Sequence, residues 1–175
     1  MIVEGKKIAF KNVVSKYYQF ESIESEKITE DFMTLIDEKG LTPNGPIFYS
    51  VMSEFGAEPI SAMYSIPIEE NQLANINDED LMFQTYFLVE NMLMTRILVE
   101  NKGQAQELAI KKYAELIEYT SENKMELTAP FHTMFKIVNE QLYLEIYLGA
   151  TRIFQSERKM KSFFKKVKKQ FLKGV

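Results

Sequence analysis

Cysteine and tryptophan are both absent from this chain of 175 residues. Without cysteine there is no disulfide framework, no thiolate metal site and no cysteine nucleophile, so nothing points to an oxidising compartment. His132 is the only histidine, which excludes a multi-histidine metal site. We expect it on a strand as an ordinary, partly buried residue. These absences predict no cofactor, no bound metal and no catalytic residues, and they favour a protein that is not an enzyme.

Glycine is scarce, and long apolar runs are missing. The seven glycines never form the G-x-G-x-x-G or G-x-x-x-x-G-K loops that hold phosphates, so nucleotide-dependent chemistry is unsupported. No stretch is apolar and long enough for a signal peptide or a membrane span, and we expect a cytoplasmic protein. The acidic run Asp78-Glu79-Asp80 lacks the glycine and the spaced acceptors of a calcium loop and is interpreted as solvated.

Charge is unevenly distributed along the chain. Residues 152–175 hold nine Lys or Arg against Glu157 alone, a net of +8, so residues 1–151 carry −12 of the total of −4. With 46% hydrophobic residues, the chain can bury one substantial core. We therefore expect a domain over residues 1–151, followed by a basic segment over residues 152–175.

Residues 7–68 are predicted to form a strand, a helix and two further strands. The first strand has a bulge near Val13, and the helix is amphipathic and ends at Gly40. The predicted strands are 7–20, 47–52 and 60–68. The apolar stripe of the helix is Ile28, Phe32, Leu35 and Ile36.

Residues 83–150 repeat that order after an acidic linker, 69–82. Asn91 lies near the middle of the β-rich stretch 83–100, which indicates either a hairpin or one long bent strand. Leu127–Pro130 is interpreted as a turn that mirrors Leu41-Thr42-Pro43, ahead of strands 131–138 and 141–148. An internal duplication explains this order economically, and a chance similarity of two halves is the alternative. The stripe of the second helix is Ala105, Ala109, Tyr113, Leu116 and Ile117.

The stretch Leu142–Leu148 alternates strictly between aliphatic and polar or aromatic residues. On a strand, its leucines and isoleucine share one face, while Tyr143, Glu145 and Tyr147 share the other. The aliphatic face predicts a covering helix. The other face is either a binding surface or a well-solvated sheet face, where a glutamate usually points to solvent or pairs with a lysine.

Two strand-helix-strand-strand units, with Gly45–Val51 in the first and Leu144–Leu148 in the second, resemble the GyrI-like (gyrase-inhibitor-like) ligand-binding domains over about residues 7–150. Tyr64–Ile68 is similar to the strand that closes the family's first unit. The chain departs from the family pattern at Met94–Ile97 and at Lys102-Gly103-Gln104. A second likeness, in length and basic tail, is to an uncharacterised Gram-positive family encoded beside type VII secretion genes.

The GyrI-like resemblance implies an α+β fold: one curved, antiparallel-rich sheet with helices on one face and a ligand groove on the other. It implies that Glu145 and Tyr147 match the glutamate and tyrosine that face organic cations in that family. We expect Tyr143 and Met63 to line the same groove. The function expected first is therefore a non-enzymatic binding module for a small organic ligand, cationic or amphipathic. A weaker alternative is a hydrolase of reactive small molecules that uses Glu145 with a tyrosine hydroxyl.

The C-terminal residues 156–173 predict a basic amphipathic helix. Its apolar stripe is costly to leave in water, so we expect it to pack on the domain itself, on a second copy or on a protein partner. Membrane contact is a further interpretation, and nucleic-acid binding is the weakest. The alternative function is thus a protein-interaction module, an adaptor or a chaperone in secretion. Its partner-binding residues would be Phe163, Phe164, Val167 and Phe171.

Overall fold

A computed structural model describes residues 1–73, 81–100 and 104–153 of the chain. Within these residues the strands and helices follow the predicted order, strand-helix-strand-strand in each half. A short 3-10 turn, Ser22–Glu24, precedes the first helix. The elements are β1 (Val3–Phe20), α1 (Ser25–Glu38), β2 (Phe48–Val51), β3 (Ile60–Pro67), β4 (Met82–Leu98), α2 (Ala105–Glu122), β5 (Met125–Val138) and β6 (Gln141–Arg152).

The strands form one closed antiparallel barrel in the order β1-β3-β2-β5-β6-β4. The predicted α+β class and the antiparallel-rich curved sheet are confirmed. Closure comes from the pairing of β1 with β4, in which Phe10 lies opposite Phe87. Because a closed barrel has no free edge, every strand finds its hydrogen-bond partners within the sheet.

Both helices cover the outside of the barrel with the apolar stripes that the sequence predicts. Phe32 and Ile36 of α1 join a cluster with Tyr64 of β3. Tyr113 and Leu116 of α2 join a second cluster formed with β4, β5 and β6. None of the helices in the described ranges is long and apolar enough to cross a membrane.

A third cluster contains no helix residue and fills the inside of the barrel. It draws on five of the six strands, because each of these strands alternates between an outward and an inward face. Its buried members are Ile8, Val13, Phe48, Met92, Met134 and Tyr147.

Asparagines mark the two bends that let the long strands serve two partners. Asn12 in β1 has φ 52° and Asn91 in β4 has φ 55°, a conformation that asparagine tolerates better than most residues. Of the two interpretations of residues 83–100, the single bent strand is therefore confirmed and the hairpin is wrong.

Two strands begin well before the predicted residue. β1 begins at Val3 instead of residue 7, and β5 begins at Met125 instead of residue 131. Leu127–Pro130 consequently lies inside β5 and is not a turn. The register shifts between Leu127 and Phe131 explain this, because an irregularity in the ladder accommodates a proline that has no N–H to donate.

The linker and the C-terminal boundary also differ from expectation. Leu73 and Leu81 pack against the α1 cluster, so both ends of the predicted linker 69–82 belong to the folded body. β6 continues to Arg152, four residues beyond the predicted strand end at residue 148 and one residue beyond the predicted domain limit at residue 151. The internal duplication stays a prediction. The predicted helix over 156–173 lies outside the described residues, as do Phe163, Phe164, Val167 and Phe171.

Candidate functional site

The two faces of β6 lie where its alternation predicts. Leu144, Ile146 and Leu148 pack beneath α2, while Tyr147 lies in the cluster inside the barrel. Glu145 shares the inward face with Tyr147 and is only 1% exposed. A carboxylate so deeply buried must be paired or protonated, because burial removes the water that stabilises its charge.

Four donors from the chain itself surround the Glu145 carboxylate. Lys136 Nζ lies 2.7 Å from one of its oxygens, and the Tyr147 hydroxyl donates to it at 2.6 Å. Arg96 donates from Nε at 3.0 Å and from a second guanidinium nitrogen. The lysine and arginine side chains are partly exposed, whereas the carboxylate beneath them is shielded.

These contacts keep Glu145 ionised. Desolvation by burial raises the pKa of Glu145, but hydrogen bonds from Lys136, Tyr147 and Arg96 outweigh it, so the net pKa is lowered. One negative and two positive groups leave a local formal charge of +1. Such a site repels an organic cation, and a carboxylate held in this way is a poor general base for a hydrolase.

The family resemblance implies a ligand groove on the face of the sheet that lies inside the barrel. Side chains of the chain itself occupy part of that space. Phe10 stacks on Phe48 with ring centroids 5.6 Å apart, and Phe87 meets Phe48 at 5.0 Å. Met92 and Met134 fill the space toward Tyr147. Around these residues the inside of the barrel is packed with aromatic and aliphatic side chains.

The remaining predicted groove residues do not converge on Glu145. The centroid of the Tyr143 ring lies 5.6 Å from the Arg96 guanidinium carbon, so this ring packs on the cation of the ion pair. Met63 is on β3, opposite Tyr17 and Ser50, with β2 and β5 between its strand and β6. Within the predicted set, the hydrogen bond that the structure shows is from the Tyr147 hydroxyl to Glu145.

His132 lies inside the barrel and is neutral at physiological pH. Burial lowers the pKa of His132 to about 4, although a hydrogen bond to the Pro130 carbonyl acts in the opposite direction. Its Nδ1 is 2.9 Å from that carbonyl oxygen, and its ring is 6.1 Å from Phe87. It is more deeply buried than we expected, and it stabilises the core as an uncharged side chain.

A cleft on the outside of the barrel was not predicted from the sequence. It has a volume of about 250 Å³ and lies between α2, the start of β5 and the loop that joins β2 to β3. Its rim carries Phe55, Ile110 and Leu127, which are 52%, 43% and 52% exposed. Large apolar side chains gathered around a concavity indicate a binding surface more often than isolated exposed ones do.

The floor of the cleft combines aromatic rings with a buried line of hydroxyls. The Tyr113 ring lies 4.4 Å from that of Phe131, and Phe55 approaches both at just over 6 Å. The Tyr113 hydroxyl is 2.6 Å from Thr133 Oγ1 and 3.3 Å from the hydroxyl of Tyr49. Burial raises the pKa of Tyr113, so the phenol is neutral and the floor is uncharged.

Residues 9–152 match the model of a family described as a domain of unknown function, DUF5085. The chain belongs to this family. Among curated proteins, none matches the sequence of this DUF5085 chain.

The solved structures that share the fold of the DUF5085 chain include two of EcmrR. One is the crystal structure of the EcmrR C-terminal domain, with a TM-score of 0.67, 13% identity, and coverage of 87% of this chain and 98% of that one. The other is a cryo-EM structure of an EcmrR–DNA complex, with a TM-score of 0.65 and 14% identity. The chain spans 58% of the length of that second protein. At these identities the likeness concerns the fold alone, and neither comparison supports the association with type VII secretion.

The DUF5085 chain has no evident metal site in its described part. No group of three or more His, Asp or Glu side chains there is arranged to hold an ion. The cleft was missed because its residues come from five strands, α2 and the loop between β2 and β3, which are far apart in the sequence. The one signal that could have pointed to it was Phe55, an aromatic residue in a hairpin connection, where polar residues are the rule.

Proposed function

We propose that this protein is a non-enzymatic binding module for a small, largely apolar organic ligand held in the cleft beside α2. The main observation in support is that three exposed apolar side chains, Phe55, Ile110 and Leu127, surround a cavity of about 250 Å³. An apolar cavity of about 150 Å³ is enough to hold benzene, so the cleft suits a ligand of one or two rings. Burying such a ligand also removes the rim from water.

The charge around Glu145 argues for this ligand class over the cation expected from the family resemblance. Lys136 and Arg96 already neutralise the carboxylate, and the interior beside it is packed. A cation would have to displace an intramolecular partner, whereas a neutral ring system entering the cleft displaces only water. The GyrI-like resemblance and the fold shared with the EcmrR C-terminal domain support a binding module, with the site moved to the outside of the barrel.

The experiment is a fluorescence titration of the full chain with the neutral dye N-phenyl-1-naphthylamine, alongside the cation ethidium. Ile110→Glu places a charge in the cleft on a side chain that is already partly exposed, so the fold is expected to survive. We expect this variant to bind the neutral dye roughly tenfold more weakly. Binding would either remove water from the introduced carboxylate, which costs free energy, or leave the dye outside the cleft. Ile137→Glu is the matched control, because Ile137 is 78% exposed and does not line the cleft.

The Glu145→Gln variant tests whether the ligand binds in the cleft or beside Glu145. If the cleft is the binding site, this variant changes binding of the neutral dye less than twofold, within ordinary scatter for a distant site. Loss of ethidium binding in Glu145→Gln, with neutral-dye binding indifferent to Ile110→Glu, would place the ligand over Glu145 and sink the proposal.

A second candidate is a protein-interaction module, an adaptor or a chaperone. The exposure of Phe55 and Leu127 favours it, because a shallow rim can also receive apolar side chains of another protein. If Ile110→Glu abolishes capture of a protein partner while the dye never binds, this candidate replaces the small-ligand proposal.

A further inference from the structure

The cleft lies close to the point where the described chain ends. Leu127 on its rim is paired with Ala150 of β6, and Ile153 follows three residues later. Residues 154–175 continue from there, a segment of 22 residues. Nine of them span up to roughly 30 Å when extended, so Phe163 can reach any part of the rim.

The C-terminal segment, residues 154–175, and the rest of the chain carry opposite net charges. Residues 154–175 contain eight Lys or Arg and one Glu, a net of +7, so residues 1–153 carry −11. Glu54 and Glu58 line the cleft. Glu21 precedes Ser22, which lines the cleft, and desolvation together with the carboxylates of Glu58 and Glu24 raises the pKa of Glu21.

The apolar side chains are complementary too. The segment places Phe163, Phe164 and Phe171 among its lysines, and the cleft presents exposed apolar side chains next to carboxylates. An apolar cleft flanked by the carboxylates of Glu54 and Glu58 suits a segment in which aromatic side chains alternate with lysines.

We propose that residues 154–175 of the same chain dock on the cleft through Phe163 and Phe164 and compete there with the small ligand. The competition rests on the proposed function, whereas the docking itself does not. Docking within one chain is favoured over docking on a second copy because the short connection from Ile153 gives the segment a high effective concentration at the cleft. The small ligand then binds a cleft that residues 154–175 of the protein occupy for part of the time.

Docking is tested by photo-crosslinking in the full chain. A benzoylphenylalanine placed at Phe164 is expected to crosslink within a monomer to the rim, at residues 53–58, 106–117 or 127–131. The same photo-residue at Lys166, on the other side of the predicted helix, is the matched control and should give weaker crosslinks to these ranges. Crosslinked dimers would show that a second copy is the occupant, and crosslinks elsewhere or none would overturn docking altogether.

Competition is tested by N-phenyl-1-naphthylamine titration of a full-chain variant with Phe163, Phe164 and Phe171 replaced by serine, which keeps every charge. Without the competing rings, a larger fraction of the molecules has a free cleft, so dye binding is expected to strengthen roughly fivefold. Unchanged affinity would overturn the competition. If neither protein binds the dye, the proposed ligand function fails, and the crosslinks still decide whether the segment docks.

Discussion

The Lys136 ammonium lies 2.7 Å from the Glu145 carboxylate, in the place that a bound organic cation would need. With Arg96 and Tyr147 on the remaining lone pairs, the carboxylate is satisfied from within the chain. Glu145 therefore links β4 and β5 to its own strand through its ion pairs with Arg96 and Lys136. Its cations hold the ends of β4 and β5 to β6.

Replacing Lys136 with methionine is expected to lower the free energy of unfolding by about 2 kcal/mol, since a buried carboxylate loses a charge-assisted hydrogen bond. Added methylammonium should restore part of this loss, because it can enter the vacated position. Urea unfolding with and without the amine measures both effects.

Lys111→Met is the matched control, because Lys111 pairs with Glu107 on the exposed face of α2. That change should cost no more than about 0.5 kcal/mol. An equal cost for the two lysine variants would show that the Glu145 network contributes nothing beyond a surface ion pair.

His132 is expected to make stability depend on pH between about 4 and 6.5. Its folded pKa is about 4 and its ordinary value is 6.5, so the unfolded chain binds the proton more tightly. The stabilisation from its neutral form is complete above pH 6.5 and is lost as the pH falls toward 4, a total of about 3 kcal/mol. Urea unfolding at several pH values between 5 and 7 measures the slope.

His132→Asn is expected to flatten that slope while keeping a donor for the Pro130 carbonyl. Glu145, whose pKa is lowered from 4.5, loses its own contribution only below that value, so the two windows are separable. Parallel slopes for the wild type and His132→Asn across this range would contradict the assignment.

Gly149 is expected not to tolerate alanine. A Cβ atom at this position would approach Ala129 closer than 3.0 Å, at both its side chain and its backbone. Crowding of this kind costs about 3 kcal/mol when the backbone has to move. Thermal unfolding of Gly149→Ala, alone and with Ala129→Gly, measures the loss.

The added Ala129→Gly change should recover only part of that loss, since it removes one Cβ and leaves the backbone nitrogen in place. Full stability of Gly149→Ala by itself would mean that β5 and β6 can separate at this irregular point in their register at no cost.

Much of the architecture is readable from local patterns. The alternation of residues 142–148 predicted which side chains of β6 face α2, and it did so because a strand exposes successive residues on opposite faces. The stripe that includes Phe32 predicted α1 in the same way. The predicted start of β5 was less accurate. Pro130 indicates a turn in the sequence, and only the register irregularity beside it shows that the strand continues through it.

The state of the candidate site depended on contacts between distant parts of the chain. Alternation placed Glu145 away from the helices, but Arg96 is 49 residues earlier, and only the β4–β6 register puts the two opposite each other. Closure of β1 on β4 is what fills the interior with Phe10, Phe48 and Phe87. The direction in which a side chain points is a property of its own strand, whereas the space in front of it is set by strands that pair across the whole chain.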